Sequence, residues 1–506
     1  MSQSAEDRLD GPLVKLIIVM ALASVTATLN ATIVGVGLGP LAQSFDTTLT
    51  TAEWVITGYL LAVAATIPVT GWAVDRFGGK RVWLFGLVIY TLTAIGSALS
   101  WDIGSLIVFR ILQGVAAGII EPVMMTLTAR ATGPARLGRV MGLLALPMTL
   151  GPVIGPILGG VIADNLHWSW LFLVNVPIVL AALVFSLTVV PADAPATGDR
   201  ATFDVLGTLL LSPGFAVLVY GLSQSAHQGF GSTTVIVSLL VGAALVAGFV
   251  VHALTTRRRP LIDVRLLAGR GFTAAVIAMA LTGAAVFSLY VLLPLYQQQV
   301  HGQSLTAGGL LLAPFGVGTF LGMPLAGRLS DRTGANLLVP LGAALVVLGI
   351  LGNALSDAST SQVLLGLYAV VAGLGLGCVG APTLASLYRT VPLEKTSGAT
   401  STMLSLNQVG GSFGVALVAL LIQRGVANGQ SVRNAYSTTF WWELAITAVI
   451  VVVGLALPGR PSTSYLTGDP LPHPSATRLA TRHATREPPA RPPQAPAGRP
   501  QAFCGR

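Results

Sequence analysis

GWAVDRFG at residues 71–78 and GRLSDRTG at residues 327–334 share one frame, G-x-x-x-D-R-x-G. Each copy follows a long apolar run and precedes another. A short frame matches easily by chance, but a match at equivalent places in a larger pattern points to duplication. The pattern around the two copies is a chain of apolar segments, so its count and polarity come next.

Of the 506 residues, 53% are hydrophobic and 9% charged, and the mean hydropathy is +0.78. Soluble domains carry about 25% charged residues, so the composition indicates an all-α integral membrane protein. A span needs about 20 mostly apolar residues. Fourteen such runs occur, near 13–38, 52–73, 82–99, 103–129, 138–163, 169–190, 205–223, 233–254, 272–297, 305–326, 335–355, 361–388, 397–423 and 438–458. The first could be misread as a signal peptide, but removing it leaves an odd number of spans. The repeat then falls in short loops after spans two and ten. It gives two six-helix halves with two extra central helices. The expected organisation is 1–12 N-terminal segment, 13–190 first half, 191–270 linker with the extra helices, 271–458 second half, and 459–506 a Pro- and Arg-rich disordered tail.

With both termini in the cytoplasm, 25 of the 28 Lys and Arg residues face inward and two, Arg424 and Arg433, face outward. The remaining one, Arg110, lies inside a span. That split satisfies the positive-inside rule. It also assigns the net charge of +9 to contact with anionic lipid, not to nucleic acid. All eight tryptophans fall near predicted span ends, where amphipathic rings prefer to sit. Cys378 and Cys504 suggest neither a disulfide framework nor a metal site. The histidines form no cluster, and no phosphate-binding G-x-x-x-x-G-K-[ST] loop is present. No cofactor, metal or catalytic residue is expected, and the chain is not read as an enzyme.

The order of motifs resembles the fourteen-helix drug:proton antiporter branch of the major facilitator superfamily over nearly all of residues 13–458. The matching stretches are WVITGYLLA at 54–62, GWAVDRFGGKR at 71–81, RILQG at 110–114, GPVIGPILGG at 151–160, WSWLFLVNVP at 168–177 and NQVGGSFGVAL at 407–417. The resemblance implies a gating loop built from Gly71, Asp75, Arg76, Gly78, Lys80 and Arg81. In it, Asp75 reaches a neighbouring helix end and holds the outward-facing state. Asp331 and Arg332 form its second copy, which is weaker because Ala335 and Asn336 replace basic residues. The resemblance also implies an antiporter motif at Gly151, Pro152, Gly155, Pro156, Gly159 and Gly160. The glycines at four-residue spacing offer a smooth face for a close helix neighbour.

Intramembrane charge is costly, and functional by default. The resemblance ties Arg110 to proton coupling, placed near the outer side where its head can snorkel. The family usually has an aspartate in the first span, in a frame like L-D-x-T-I-V; this chain has LNATIV, with Asn30 in that place. An amide cannot carry a proton. Glu121, read as the only acid well inside a span, is the candidate proton site or cation anchor. It lies about 16 Å along the helix from Arg110, too far for a direct salt bridge. Asn30 then becomes a neutral substrate contact. Other candidates for a substrate cavity are Thr57, Tyr59, Gln113, Asn175, Tyr296, Gln297, Gln298, Asn407 and Gln408.

The expected function is proton-coupled export of drugs or other small organic molecules across the bacterial cytoplasmic membrane by alternating access, as a monomer. The partners are substrate, protons and lipid. A permease for an endogenous metabolite or lipid, uncoupled because of Asn30, is the nearest rival, and a transporter-like sensor or scaffold a more distant one.

Overall fold

In a computed structural model of the chain, residues 10–132, 136–193, 203–256, 260–303, 312–356 and 359–459 are described. The tail expected at 459–506 therefore lies, apart from Gly459, outside the described residues, as do most of 1–12 and the start of predicted span ten. Every long element is helical, and no strand occurs among the described residues. This follows from the composition. In hydrocarbon each backbone N–H and C=O must be satisfied within its own segment, which a helix achieves.

The first half contains α1 (Gly11–Val36), α2 (Trp54–Phe77), α3 (Gly79–Ala98), α4 (Ile103–Thr132), α5 (Leu137–Asn165) and α6 (Val176–Val189). The extra pair is α7 (Val205–Gln228) and α8 (Thr233–Thr255). The second half contains α9 (Arg270–Gln299), α10 (Leu312–Thr333), α11 (Ala335–Leu355), α12 (Gln362–Arg389), α13 (Thr396–Ala427) and α14 (Val432–Leu455). A helix thus stands at each predicted span. Among the described residues, twelve helical segments are long and apolar enough to cross a membrane; α5 and α10 stand outside that dozen.

Three expectations change. The repeat frame does not lie in loops, because α2 runs on to Phe77 and α10 to Thr333, so Asp75 and Asp331 sit in last turns. A helix end exposed to the polar face tolerates charge, which a hydropathy count reads as a loop. The last helix starts at Val432, not 438, where the Ser431 hydroxyl caps the Asn434 amide at 3.3 Å. Trp83 is no interfacial anchor. It is fully buried and donates its indole N–H to the Ser186 hydroxyl at 2.8 Å.

The frame itself has a physical reading. Gly78 and Gly334 have φ of +94° and +91°, a conformation glycine adopts without strain, and they turn the chain from the second helix of each half into the third. Behind Gly78, Asp193 accepts from the Lys80 and Arg81 amides (2.9 and 3.3 Å) and caps α3. The Lys80 ammonium donates to the carbonyls of Leu187 and Val190 (2.9 and 2.7 Å) at the end of α6. At the other end of α3, amide and hydroxyl contacts from Ser105 hold the exposed Asp102 carboxyl below its usual pKa range.

The extra pair closes on itself through Asp204. That carboxylate caps α7 at the Gly207 amide (2.9 Å), meets His252 Nε2 (2.9 Å) and accepts from the Leu261 amide (3.0 Å). Leu211, Phe215 and Phe249 then pack toward Val69 and Trp72 of α2 and Leu406 and Val409 of α13. The pair therefore lies across one seam between the halves.

The glycine face of α5 meets α1. A Cβ on Gly151 would come within 2.5 Å of Thr28, and one on Gly155 within 2.0 Å of the Thr32 hydroxyl. Thr32 itself donates to the Gly151 carbonyl at 3.1 Å. Gly160, by contrast, has nothing within 4 Å of such a position among the described residues. The side chains of Pro152 and Pro156 lie outside the described residues. Gly155→Val is expected to destabilise the detergent-solubilised protein by about 1–3 kcal/mol, with Gly160→Ala leaving it unchanged. Equal melting temperatures for the two variants would show that the α1–α5 seam is not tight.

Candidate functional site

Between the halves lies a cavity of about 220 Å³. Its walls come from α1, α2 and α4 on one side and α9, α10, α12 and α13 on the other. Most of the lining is apolar, including Leu60, Val63, Met125, Met279, Phe287 and Met323. Thr28, Thr32, Tyr59, Tyr290, Asn407 and Gln408 add polar groups, and Glu121 is the one carboxyl among the lining residues. An apolar chamber with a few convergent polar groups is the usual form of a small-molecule site. The threonines in the middle of α1 thus serve the cavity and the glycine seam together.

Three of the ten proposed cavity residues, Tyr59, Asn407 and Gln408, line this cavity. The other seven do not. Thr57 and Gln298 are half-buried, away from the lining. Asn175 is fully buried with neither side-chain polar atom bonded among the described residues, and Gln297 is buried in the same condition. Tyr296 is buried in the second half, donates to the Ser356 carbonyl at 3.3 Å and packs on Tyr436 and Phe440.

Asn30 and Gln113 belong to Arg110 instead. Arg110 is 0% exposed, so the expected snorkelling to the outer surface does not occur. Its Nε donates to the Val55 carbonyl at 2.9 Å. Its Nη1 donates to the side-chain oxygens of Gln113, at 2.8 Å, and Asn30. The guanidinium lies 4.2 Å from the centre of the Tyr59 ring. A desolvated cation–π contact is worth about 2 kcal/mol, less than the several kcal/mol needed to bury a charge. Tyr59 also lines the cavity, which Arg110 does not, so its ring is the wall between them. Asn30 is not among the lining residues, and its amide oxygen accepts from Arg110.

Glu121 is not the only acid inside a span. Glu443, halfway along α14, is 2% exposed and accepts from the Ser288 hydroxyl of α9 at 2.6 Å. The late start assigned to the last span placed it near a boundary, where an acid draws no notice.

The repeat aspartates form two clasps at the end of the bundle that carries most of the arginines. Asp75 pairs with Arg130 at the end of α4 (3.1 Å) and accepts from the Ser397 hydroxyl at the start of α13 (2.7 Å). Asp331 pairs with Arg389 at the end of α12 and accepts from the Gly138 and Arg139 amides at the start of α5 (2.9 and 3.1 Å). Each half thus holds the fifth helix of the other. Gly71 and Gly327, one turn before each aspartate, permit the approach: added Cβ atoms would meet the Ser397 carbonyl at 3.0 Å and the Gly138 carbonyl at 2.2 Å. The second copy, expected to be weaker, is the more complete. Its ion pair has side chains 11% and 15% exposed, against 30% and 36% for the first. The basic residues it lacks follow the turn and are not part of the clasp. Arg130, Arg389, Asp193 and Ser397 went unnoticed in the sequence. The signal available was an arginine in the last turn of the fourth helix of each half. Between clasps and cavity, Thr126 donates to the Thr400 hydroxyl (3.3 Å), which also meets Tyr388 (3.0 Å).

The Major Facilitator Superfamily model matches residues 20–415 and, in a second overlapping match, 277–488. The chain belongs to the Major Facilitator Superfamily. Among superfamily relatives, it is 39% identical to the Multidrug resistance protein B homolog of Mycobacterium tuberculosis over 425 residues, covering 83% of this chain and 78% of the relative. It is 31% identical to the Multidrug export protein EmrB of Escherichia coli over 320 residues, covering 63% and 62% respectively. Among solved structures, the proton:xylose symporter XylE superposes with a TM-score of 0.63 at 13% identity, over 88% of this chain and 96% of that one. That likeness carries the fold. As a superfamily member with many apolar helices, the chain is a multi-pass protein of the cell membrane.

Removing one partner of a largely buried ion pair is strongly destabilising, by about 3–5 kcal/mol, whereas an exposed pair contributes about 0–1 kcal/mol. Asp331→Asn is accordingly expected to speed hydrogen exchange at the first turns of α5. Asp75→Asn should have a smaller effect at the first turns of α13. Mass spectrometry on the purified protein reads both. Equal protection in Asp331→Asn and wild type would show that the second clasp is not closed in solution.

Proposed function

We propose that this chain exports drugs or other small organic molecules in exchange for protons, by alternating access, and that Glu121 carries the proton. The observation behind it is the position of Glu121. The acid lines a predominantly apolar cavity between two halves of a superfamily fold. A carboxyl facing such a cavity is a group that can take up and release a proton there, and intramembrane acids are functional by default. The curated relatives named for multidrug resistance and export support the substrate class. A tetracenomycin C resistance and export protein of Streptomyces glaucescens, 28% identical over 412 residues, supports it further.

In this reading the chain crosses the membrane fourteen times with both termini in the cytoplasm, as the arginine distribution implies. The Asp75 and Asp331 clasps seal the cytoplasmic side. A substrate or proton reaching Glu121 from the other side changes the relative stability of the two states, and the clasps open when the alternative state wins. Asn30 keeps Arg110 in place as a structural cation, leaving the proton step to Glu121.

The test uses purified protein in liposomes with an imposed pH gradient and a panel of cationic and neutral drugs. Wild type is expected to transport only with the gradient, and Glu121→Gln to lose that dependence. Gradient-driven transport in both proteins would remove Glu121 from the proton step. Transport by wild type without regard to the gradient would overturn antiport in favour of an uncoupled permease.

A further inference from the structure

Arg110 carries a charge that no acid among the described residues answers. It is fully buried, and its partners are a carbonyl, two neutral amides and the faces of two aromatic rings, Tyr59 and Phe172. No carboxylate forms an ion pair with it among the described residues. Arginine cannot relieve the problem by releasing its proton, and a buried charge needs a counter-charge. The nearest acid along the same helix, Glu121, is about 16 Å away along the axis, and belongs to the cavity beyond the Tyr59 ring.

The same surroundings hold three unspent donors. Arg110 Nη2, Asn30 Nδ2 and Gln113 Nε2 are all buried and meet no acceptor in hydrogen-bonding geometry among the described residues. Their orientation is not arbitrary. Each amide turns its oxygen to Arg110 Nη1, which leaves each amide nitrogen as a donor. All three residues are 0% exposed. A buried cation beside a surplus of N–H donors asks for an acceptor carrying negative charge.

We propose that the Arg110 pocket binds a small monovalent anion, with chloride as its occupant in the cell. Arg110 Nη2 and the amide nitrogens of Asn30 and Gln113 supply its donors, and Tyr59 separates it from the cavity. The anion supplies the negative charge that a carboxylate at position 30 would otherwise fix permanently. This site stands apart from the export reading, since it needs neither a drug nor a pH gradient.

The test is equilibrium binding of radiolabelled chloride to the purified full-length protein in nanodiscs, with gluconate holding the ionic strength constant. Wild type is expected to bind saturably, at one site per chain, with bromide competing. Asn30→Asp places a fixed carboxylate beside Arg110 and is expected to abolish binding. Gln113→Leu keeps the charge but removes one donor, and should weaken binding by about tenfold or more. Glu443→Gln, an acid changed elsewhere in the bundle, should leave it unaltered. Thermal unfolding of each variant in gluconate shows that it is folded before binding is compared. Absence of saturable binding to wild type would overturn the proposal, as would full binding to a folded Asn30→Asp or Gln113→Leu protein.

Discussion

Helices in lipid gain little from burying apolar faces against one another, because the tails they displace are equally apolar. What holds this bundle is therefore close backbone approach and a small number of well-placed polar contacts. The rule acts at both kinds of seam. Within the first half, Gly151 and Gly155 let α5 lie against Thr28 and Thr32 of α1. Between halves, Gly71 and Gly327 bring each second helix against the start of the opposite fifth helix. Without those small residues the aspartates one turn further on could not reach their partners.

The two clasps follow from one geometric idea used twice. A helix start presents unsatisfied N–H groups and the positive end of its dipole, so a carboxylate is a natural partner. Asp331 takes this form directly, on the Gly138 and Arg139 amides. Asp75 uses the Ser397 hydroxyl in the same place. Both clasps lie at one end of the bundle, and the Thr126–Thr400 contact continues the join toward the cavity. Opening that end requires both to break. The extra pair α7–α8 packs on α2 and α13, the seam with the more exposed ion pair. The better-buried clasp between α10 and α5 has its stronger ion pair instead.

The fold was largely legible because its signals are additive. About twenty mostly apolar residues, repeated, and arginines concentrated in alternate links leave few architectures open. The repeat frame was legible as a repeat but not as a device. Glycine, aspartate and glycine read as a turn with charge, and only the helix partners reveal a contact residue, a cap and a positive-φ corner. The site was legible in part. Glu121 announced itself as an acid amid apolar residues and does line the cavity. Asn175, Gln297 and Tyr296 were indistinguishable from cavity residues by type. Which way a polar side chain faces on a helix surrounded by neighbours depends on packing, and hydropathy holds no record of it. Glu443 was missed for a related reason: its helix begins before the apolar run does.

Asn30 shows how one substitution redistributes a whole electrostatic arrangement. An aspartate at this place would lie against Arg110 as a neutral pair, with protonation of the aspartate exposing the guanidinium. With an amide, Arg110 stays held by the same oxygen but its charge is constant. A constant charge cannot serve as the step that senses a proton; it can only set the field in which another group titrates. Tyr59 has the guanidinium on one face and forms the cavity wall that includes Glu121. The permanent positive charge thus sits behind the wall, and the ionisable acid lines the chamber. Separating the two leaves the acid facing the cavity, and leaves Arg110 with no counter-charge among the described residues, which is what the proposed anion would supply.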